Sequence, residues 1–190
     1  MIIKHIDDIA STIRQLLDFS RRQPIAHRAV PLPAVLERAR GLLDWKLATK
    51  SLTMTFSVPH DLPPLAADPD QLEQVLVNLL LNACDASPAH ASISVVARAA
   101  GDKRARIEVV DRGEGIAPEH MNAVFDPFFT TKKRGEGTGL GLSIVASIVR
   151  NHSGEIDLQS EPGVGTTVTV LWPVSAVVAS YDPEEARRHG

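Results

Sequence analysis

A single cysteine, Cys84, stands among 190 residues, so no intramolecular disulfide can form, and this thiol usage fits a reducing compartment. Aromatic residues make up only 4% of the chain against 44% hydrophobic overall, which calls for an aliphatic core. No apolar run approaches the ~18 residues that cross a bilayer, and Met1 is not followed by a secretory signal pattern. These absences predict a cytoplasmic chain with no membrane segment of its own, compatible with the inner part of a membrane-anchored parent protein. Positive charge is not in excess: 20 Lys and Arg face 23 Asp and Glu, a net charge of −3. That excludes the basic face expected of a nucleic-acid binder. The seven histidines show no metal-ligand spacing, and with one thiol the sequence gives no sign of a zinc site.

What is present begins with a narrow apolar seam. Ile2, Ile6, Ile9, Ile13 and Leu16 alternate by four and three, predicting a coiled-coil-type helix over 1–22. Such a helix is about 33 Å long and marginal alone, so it needs a partner. Dimerisation through this helix is the expectation; the alternative is that it lies on its own domain. Pro24, Pro31 and Pro33 mark a linker over 24–33. A helix over 34–49 and an alternating strand over 52–58 follow. Asp68, Pro69 and Gln71 read as a capping box opening a helix that runs to about Ala86. Strands are expected over 93–98 and 106–110, then a loop-rich stretch over 111–137 with a short segment at 119–125. A helix over 140–151 ends at Gly154, and strands over 155–159 and 166–171 close a domain of residues 34–173. The tail over 174–190 carries no assigned role. Together these elements predict an α/β (α+β) two-layer sandwich, a mixed and mostly antiparallel sheet with helices on one face.

Four groups of residues carry the chemistry. Asn78 and Asn82 are one helical turn apart, so both amides leave the same face. Amide oxygens are hard, neutral ligands suited to Mg²⁺ that keeps phosphate and water oxygens. Asp111 ends an apolar strand and precedes Gly113 and Gly115. A carboxylate there can accept a hydrogen bond from an adenine amine, with glycine admitting a close approach. Gly137, Thr138, Gly139, Leu140, Gly141 and Leu142 open a helix, where free N–H groups and the dipole favour anionic phosphate. No G-K-[ST] ending makes this a Walker loop, and no third glycine makes it a dinucleotide fingerprint. Lys132 and Lys133 precede the glycines as candidate phosphate clamps, and Phe125, Phe128 and Phe129 read as anchors of that loop on the core. Each group alone has a plainer reading: helix-packing amides, a D-x-G turn, a glycine-rich loop without ligand, a solvated basic loop.

In this order the groups resemble the ATP-binding catalytic domain of sensor histidine kinases, within the wider family of gyrase, MutL and heat-shock chaperone ATPases. Asn78-x-x-x-Asn82-Ala83 is similar to the N box and Asp111-x-Gly113-x-Gly115-Ile116 to the first glycine box. Residues 125–129 resemble the F box, residues 137–142 the second glycine box, and Gly163-x-Gly165-Thr166 the further G-x-G-T element. The F-D-P-F-F-T-T-K form is similar to the nitrogen-regulatory and dicarboxylate-sensor branch. The resemblance implies ATP and Mg²⁺ as cofactors, with Asn82 and Asn78 at the metal. It implies Asp111, Gly113, Gly115, Ile116 and Thr166 around adenine, and Lys132, Lys133 and the 137–142 run at the phosphates. Residues 16–21 resemble the end of the family's dimerisation hairpin, so residues 1–23 are expected to be its second helix. The expected phosphoacceptor histidine lies upstream of Met1, leaving no catalytic residue within 1–190. A response-regulator receiver domain is the implied partner. Hydrolysing members carry a glutamate where Asn78 stands, and an amide is no general base. Two alternatives share the boxes: a nucleotide-binding regulatory or dimerisation module without transfer, and an anti-sigma-type serine kinase, which would not carry the 17–21 hairpin remnant.

Overall fold

The computed structural model describes residues 27–132 and 137–175. The helix expected over 1–22, its dimerisation role, Lys133 and all of the tail beyond Ser175 lie outside the described residues.

Among the described residues, three α-helices form where an apolar stripe recurs with helical period. The first, α1 (Leu32–Lys50), buries Leu32, Val35, Leu36, Ala39 and Leu43, the i, i+3, i+4, i+7 pattern of a core-facing stripe. It starts two residues earlier than the sequence pattern implies, because Pro33 fits the first turn and needs no N–H partner there. The second, α2 (Pro69–Ala86), buries Leu72, Val75, Leu76, Leu79, Leu80, Ala83 and Cys84. The third, α3 (Gly141–Asn151), buries Ile144, Val145, Ile148 and Val149.

Seven strands are found among the described residues: β1 (Arg28–Val30), β2 (Thr53–Ser57), β3 (Leu65–Ala67), β4 (Ser92–Ala99), β5 (Arg104–Asp111), β6 (Glu155–Glu161) and β7 (Gly165–Pro173). Five make the main sheet in the order β2-β4-β5-β7-β6. Only β2 and β4 are parallel; the chain between them includes α2, the crossover that a parallel pair requires. The helices cover one face. On the other, Arg98 and Arg106 pair with Glu108, and Arg106 also reaches the Thr169 hydroxyl. A polar face of this kind fits an antiparallel sheet solvated on one side.

β1 and β3 pair with each other as a small antiparallel sheet, and neither is foreshadowed in the sequence. Each has three residues, too few to show a period, and β1 falls inside the proline-rich stretch over 24–33. Trp172, fully buried on β7, donates from its indole nitrogen to the Ala66 carbonyl (3.1 Å) and ties this small sheet to the core.

The start of α2 departs from the capping box in one respect. Asp68 Oδ1 accepts from the N–H groups of Asp70 and Gln71 at 3.1 and 3.2 Å. The return bond to the Asp68 N–H comes from His152 Nε2 at 3.1 Å, not from Gln71. His152 is buried, and its Nδ1 faces the Ile148 carbonyl at 3.0 Å. One nitrogen accepts and the other donates, which fixes a neutral tautomer; burial accordingly pulls its pKa below the ordinary value.

Candidate functional site

Strand β5 alternates, with Ala105, Ile107, Val109 and Asp111 turned into the core. The period-2 rule therefore drives the carboxylate of Asp111 inward at the strand's end. Its Oδ1 accepts from the N–H of Gly113 (2.8 Å) and from the N–H of Thr166 (3.2 Å), which faces it in register on β7. Asp111 is 8% exposed. Desolvation raises its carboxyl pKa, and the two backbone bonds pull the other way. Thr166 is held in turn by a 2.9 Å contact between its hydroxyl and that of Ser160, and Ser160 Oγ also accepts from the Ile116 N–H at 2.9 Å. Asp111, Gly113, Ile116 and Thr166 thus form one connected wall. A concavity of about 680 Å³ shares Asp111 and Thr166 with this wall, adds Arg112 and Val164 from the unspecified positions of their boxes, and takes Gln159 and Glu161 from outside the boxes.

The glycines of this wall do something the sequence did not disclose. A Cβ on Gly113 would sit 2.5 Å from the Ala86 carbonyl oxygen at the end of α2. One on Gly115, whose φ is +68°, would fall on the Glu161 carbonyl oxygen. Both absences first serve to pack the loop against α2 and β6.

Opposite stands α2. Asn78 and Asn82 are half-buried on its flank, not sunk among the neighbouring leucines. A Cβ built on Gly141, the first residue of α3, lies 3.7 Å from Asn82 Nδ2, so the amide faces the start of the third helix. No side chain caps α3, and the N–H groups of a first turn have no intrahelical partner. Leu140 is buried, its N–H bonded to the Thr138 hydroxyl at 3.3 Å, and Leu142 is half-buried against the core. The second glycine box therefore opens toward Asn82 with its dipole's positive end.

The loop before α3 is closed at two rungs. The Phe128 N–H donates to the Gly139 carbonyl at 2.9 Å, and Gly137 packs against Thr130 and the Lys132 stem. Phe125 and Phe129 pack on the core as expected; Phe128 does not. It is 64% exposed with φ +68°, a left-handed backbone that a bulky side chain rarely adopts. Lys132, in the loop, reaches α2, its Nζ 2.6 Å from Asp85 Oδ2. Asp85 is the residue the sequence reading missed. It lies three beyond Asn82 and seven beyond Asn78 on the same helix face, a spacing that was available to see.

The profile of the family described as "Histidine kinase-, DNA gyrase B-, and HSP90-like ATPase" matches residues 67–176, more than half of the chain. This chain belongs to that family. It is 37% identical to the sensor histidine kinase ZraS of Escherichia coli K12 over 184 residues, 97% of this chain and 38% of ZraS. It is also similar in structure to ShkA solved with AMPPNP (TM-score 0.79, 25% identity, 90% of this chain and 37% of ShkA). The catalytic domain of the histidine kinase ThkA superposes at TM-score 0.69 with 27% identity, over 80% of this chain and 97% of that domain. The chain spans only 37–38% of the length of the first curated relatives. These relatives place it among the catalytic, ATPase-type domains of sensor histidine kinases, and the mixed sheet with helices on one face is the fold expected of them.

Proposed function

We propose that this chain binds ATP with Mg²⁺ between α2, α3 and the Asp111 wall, and presents the γ-phosphate to a histidine on a helical hairpin. The observation that carries the reading is Asp111. A buried carboxylate held by two backbone N–H groups on one oxygen keeps the other for a donor, and the exocyclic amine of adenine is such a donor. Gly113, Gly115, Ile116 and Thr166 shape that end of the site. The phosphates would lie at the uncapped start of α3, against Gly137, Thr138, Gly139, Leu140, Gly141 and Leu142, with Lys132 and Lys133 as cations nearby.

The residues present fit a magnesium ion that arrives with its phosphates. Asn82, whose amide faces that helix start, and Asn78, one turn earlier on α2, each carry a neutral amide oxygen, and Mg²⁺ takes one or two protein ligands while keeping phosphates and water. Among the described residues no group of three acidic, histidine or cysteine side chains converges to hold a metal unaided. Bound there, the ion would neutralise charge on the phosphate oxygens. The chain's own part is to orient the nucleotide and exclude alternatives. Asn78 has no basicity to activate water, so the site favours transfer over hydrolysis.

In the whole protein the phosphoryl group would pass from the histidine to an aspartate of a response-regulator receiver domain, and residues 1–23 would dimerise as part of a hairpin. Domain limits of 1–23, 24–33, 34–173 and 174–190 belong to the same proposal, as does a cytoplasmic location; no helix among the described residues is long and apolar enough to cross a membrane. The test adds γ-labelled ATP, Mg²⁺ and a sensor-kinase hairpin to the chain. Acid-labile label on the hairpin histidine is expected. Acid-stable phosphoserine on a partner would support a serine kinase, and binding without transfer a regulatory module.

A further inference from the structure

Resting on that reading, we propose that Asp85 is the resting partner of Lys132, and that the terminal phosphates of a nucleoside triphosphate take the lysine from it. Asp85 is thereby a specificity-determining residue that sets the preference for triphosphate over diphosphate.

The geometry begins on α2. Asp85 shares a helix face with Asn78 and Asn82, and its two oxygens are divided between two lysines. Oδ1 pairs with Lys46 of α1, and Oδ2 with Lys132 at 2.6 Å. The side chains of Lys46, Asp85 and Lys132 are 18%, 23% and 32% exposed, so water screens the trio only in part. The Lys132 stem lies against Gly137, with its Cδ 3.1 Å from the position a Cβ would take there. The ammonium is therefore stationed between the asparagine face of α2 and the glycine run leading to α3.

Three features make the lysine transferable. Lys46 stays on Asp85 when Lys132 leaves, so departure strands no partly buried carboxylate, the step that makes breaking such pairs costly. Lys50 is not a substitute, because its Nζ is spent on the carbonyls of Cys84, Asp85 and Ser87, each at 2.9 Å. A terminal phosphate carries more negative charge than one carboxylate and offers three oxygens, so it outcompetes Asp85 for the cation. The two lysines also hold the Asp85 carboxyl below its ordinary pKa against the opposing effect of burial. Asp85 thus keeps its charge at neutral pH, and a competing anion is what releases Lys132. A diphosphate, which lacks the γ-phosphate, leaves Lys132 where it is.

The experiment measures Kd for a non-hydrolysable ATP analogue and for ADP, both with Mg²⁺, on the full chain and on Asp85→Asn, Asp85→Glu, Lys132→Gln and the double variant Asp85→Asn/Lys132→Gln. Asp85→Asn removes the competitor and should raise the ATP-analogue-to-ADP preference by up to about fivefold, the worth of one partly exposed ion pair. Asp85→Glu, which keeps the competing charge, should stay near the parent ratio. Lys132→Gln should lower the preference, and in that background Asp85→Asn should have no further effect. A ratio unmoved by Asp85→Asn, an equal weakening of both ligands, or an Asp85→Asn effect that persists without Lys132 would overturn the exchange. Each of those results requires a chain that binds nucleotide, so they differ from failure of the functional reading, in which the parent binds neither ligand.

Discussion

Replacing Asp111 with asparagine should separate binding from stability. The side chain keeps its shape, and an amide oxygen can still accept from the Gly113 and Thr166 N–H groups that now bond Oδ1. What disappears is the charge, and with it a charge-assisted bond to the adenine amine, worth about 1.5–3 kcal/mol. The ATP-analogue Kd should therefore rise by roughly 10- to 150-fold. Stability should move the other way. Asp111 is 8% exposed, and its carboxyl pKa is raised above the ordinary 3.8 by desolvation. As pH rises past 3.8 the unfolded chain ionises first, so the contribution of this group is full below that value. It is lost as pH climbs to the raised folded value. At neutral pH the ionised form works against folding, and Asp111→Asn should unfold at the same or higher denaturant concentration than the parent. Calorimetric titration paired with urea unfolding at pH 7 decides this. An unchanged Kd, or a loss of binding that merely tracks a loss of stability, would refute the reasoning.

Other outcomes follow from single positions. Neutral His152 bonds Asp68 and Ile148 with its pKa below the ordinary 6.5, so its contribution is present above 6.5 and is lost as pH falls through that value toward the lower folded one. Urea midpoints should drop across that window in the parent and stay flatter in His152→Gln. Gly115→Ala sets a Cβ on the Glu161 carbonyl at φ +68°, combining left-handed strain of about 1–2 kcal/mol with an overpacking cost of about 1–3. Its urea midpoint should fall accordingly, and a midpoint equal to the parent's would contradict the close approach. Phe128→Gly should not destabilise, since the ring is 64% exposed and the backbone is left-handed. A gain of about 1 kcal/mol in urea unfolding is expected, strain relief of about 1–3 less the chain entropy glycine adds.

Much of this was written in local pattern. Alternation along β5 points Asp111 inward, and a proline after an aspartate marks the start of α2. The box order carries the family resemblance, and helical spacing brings Asn78 and Asn82 together. What was not legible depends on partners distant in sequence. The missing Cβ atoms of Gly113 and Gly115 answer to Ala86 and Glu161, not to residues beside them. The Asp68 N–H takes its partner from His152, 84 residues away, which displaces Gln71 from the capping box. Lys132 finds Asp85 across 47 residues, and no composition rule announces that pairing. Strands β1 and β3, three residues each, owe their existence to each other and to Trp172. The exposed Phe128 breaks the expectation that all three phenylalanines of the loop anchor it, because the Gly139 carbonyl holds its N–H and turns the backbone left-handed.

The most direct test of the central claim is calorimetric titration of the folded chain with a non-hydrolysable ATP analogue, in the presence and absence of Mg²⁺. The account predicts saturable one-to-one binding that Mg²⁺ tightens. No heat of binding from a chain whose circular dichroism shows it folded would contradict it.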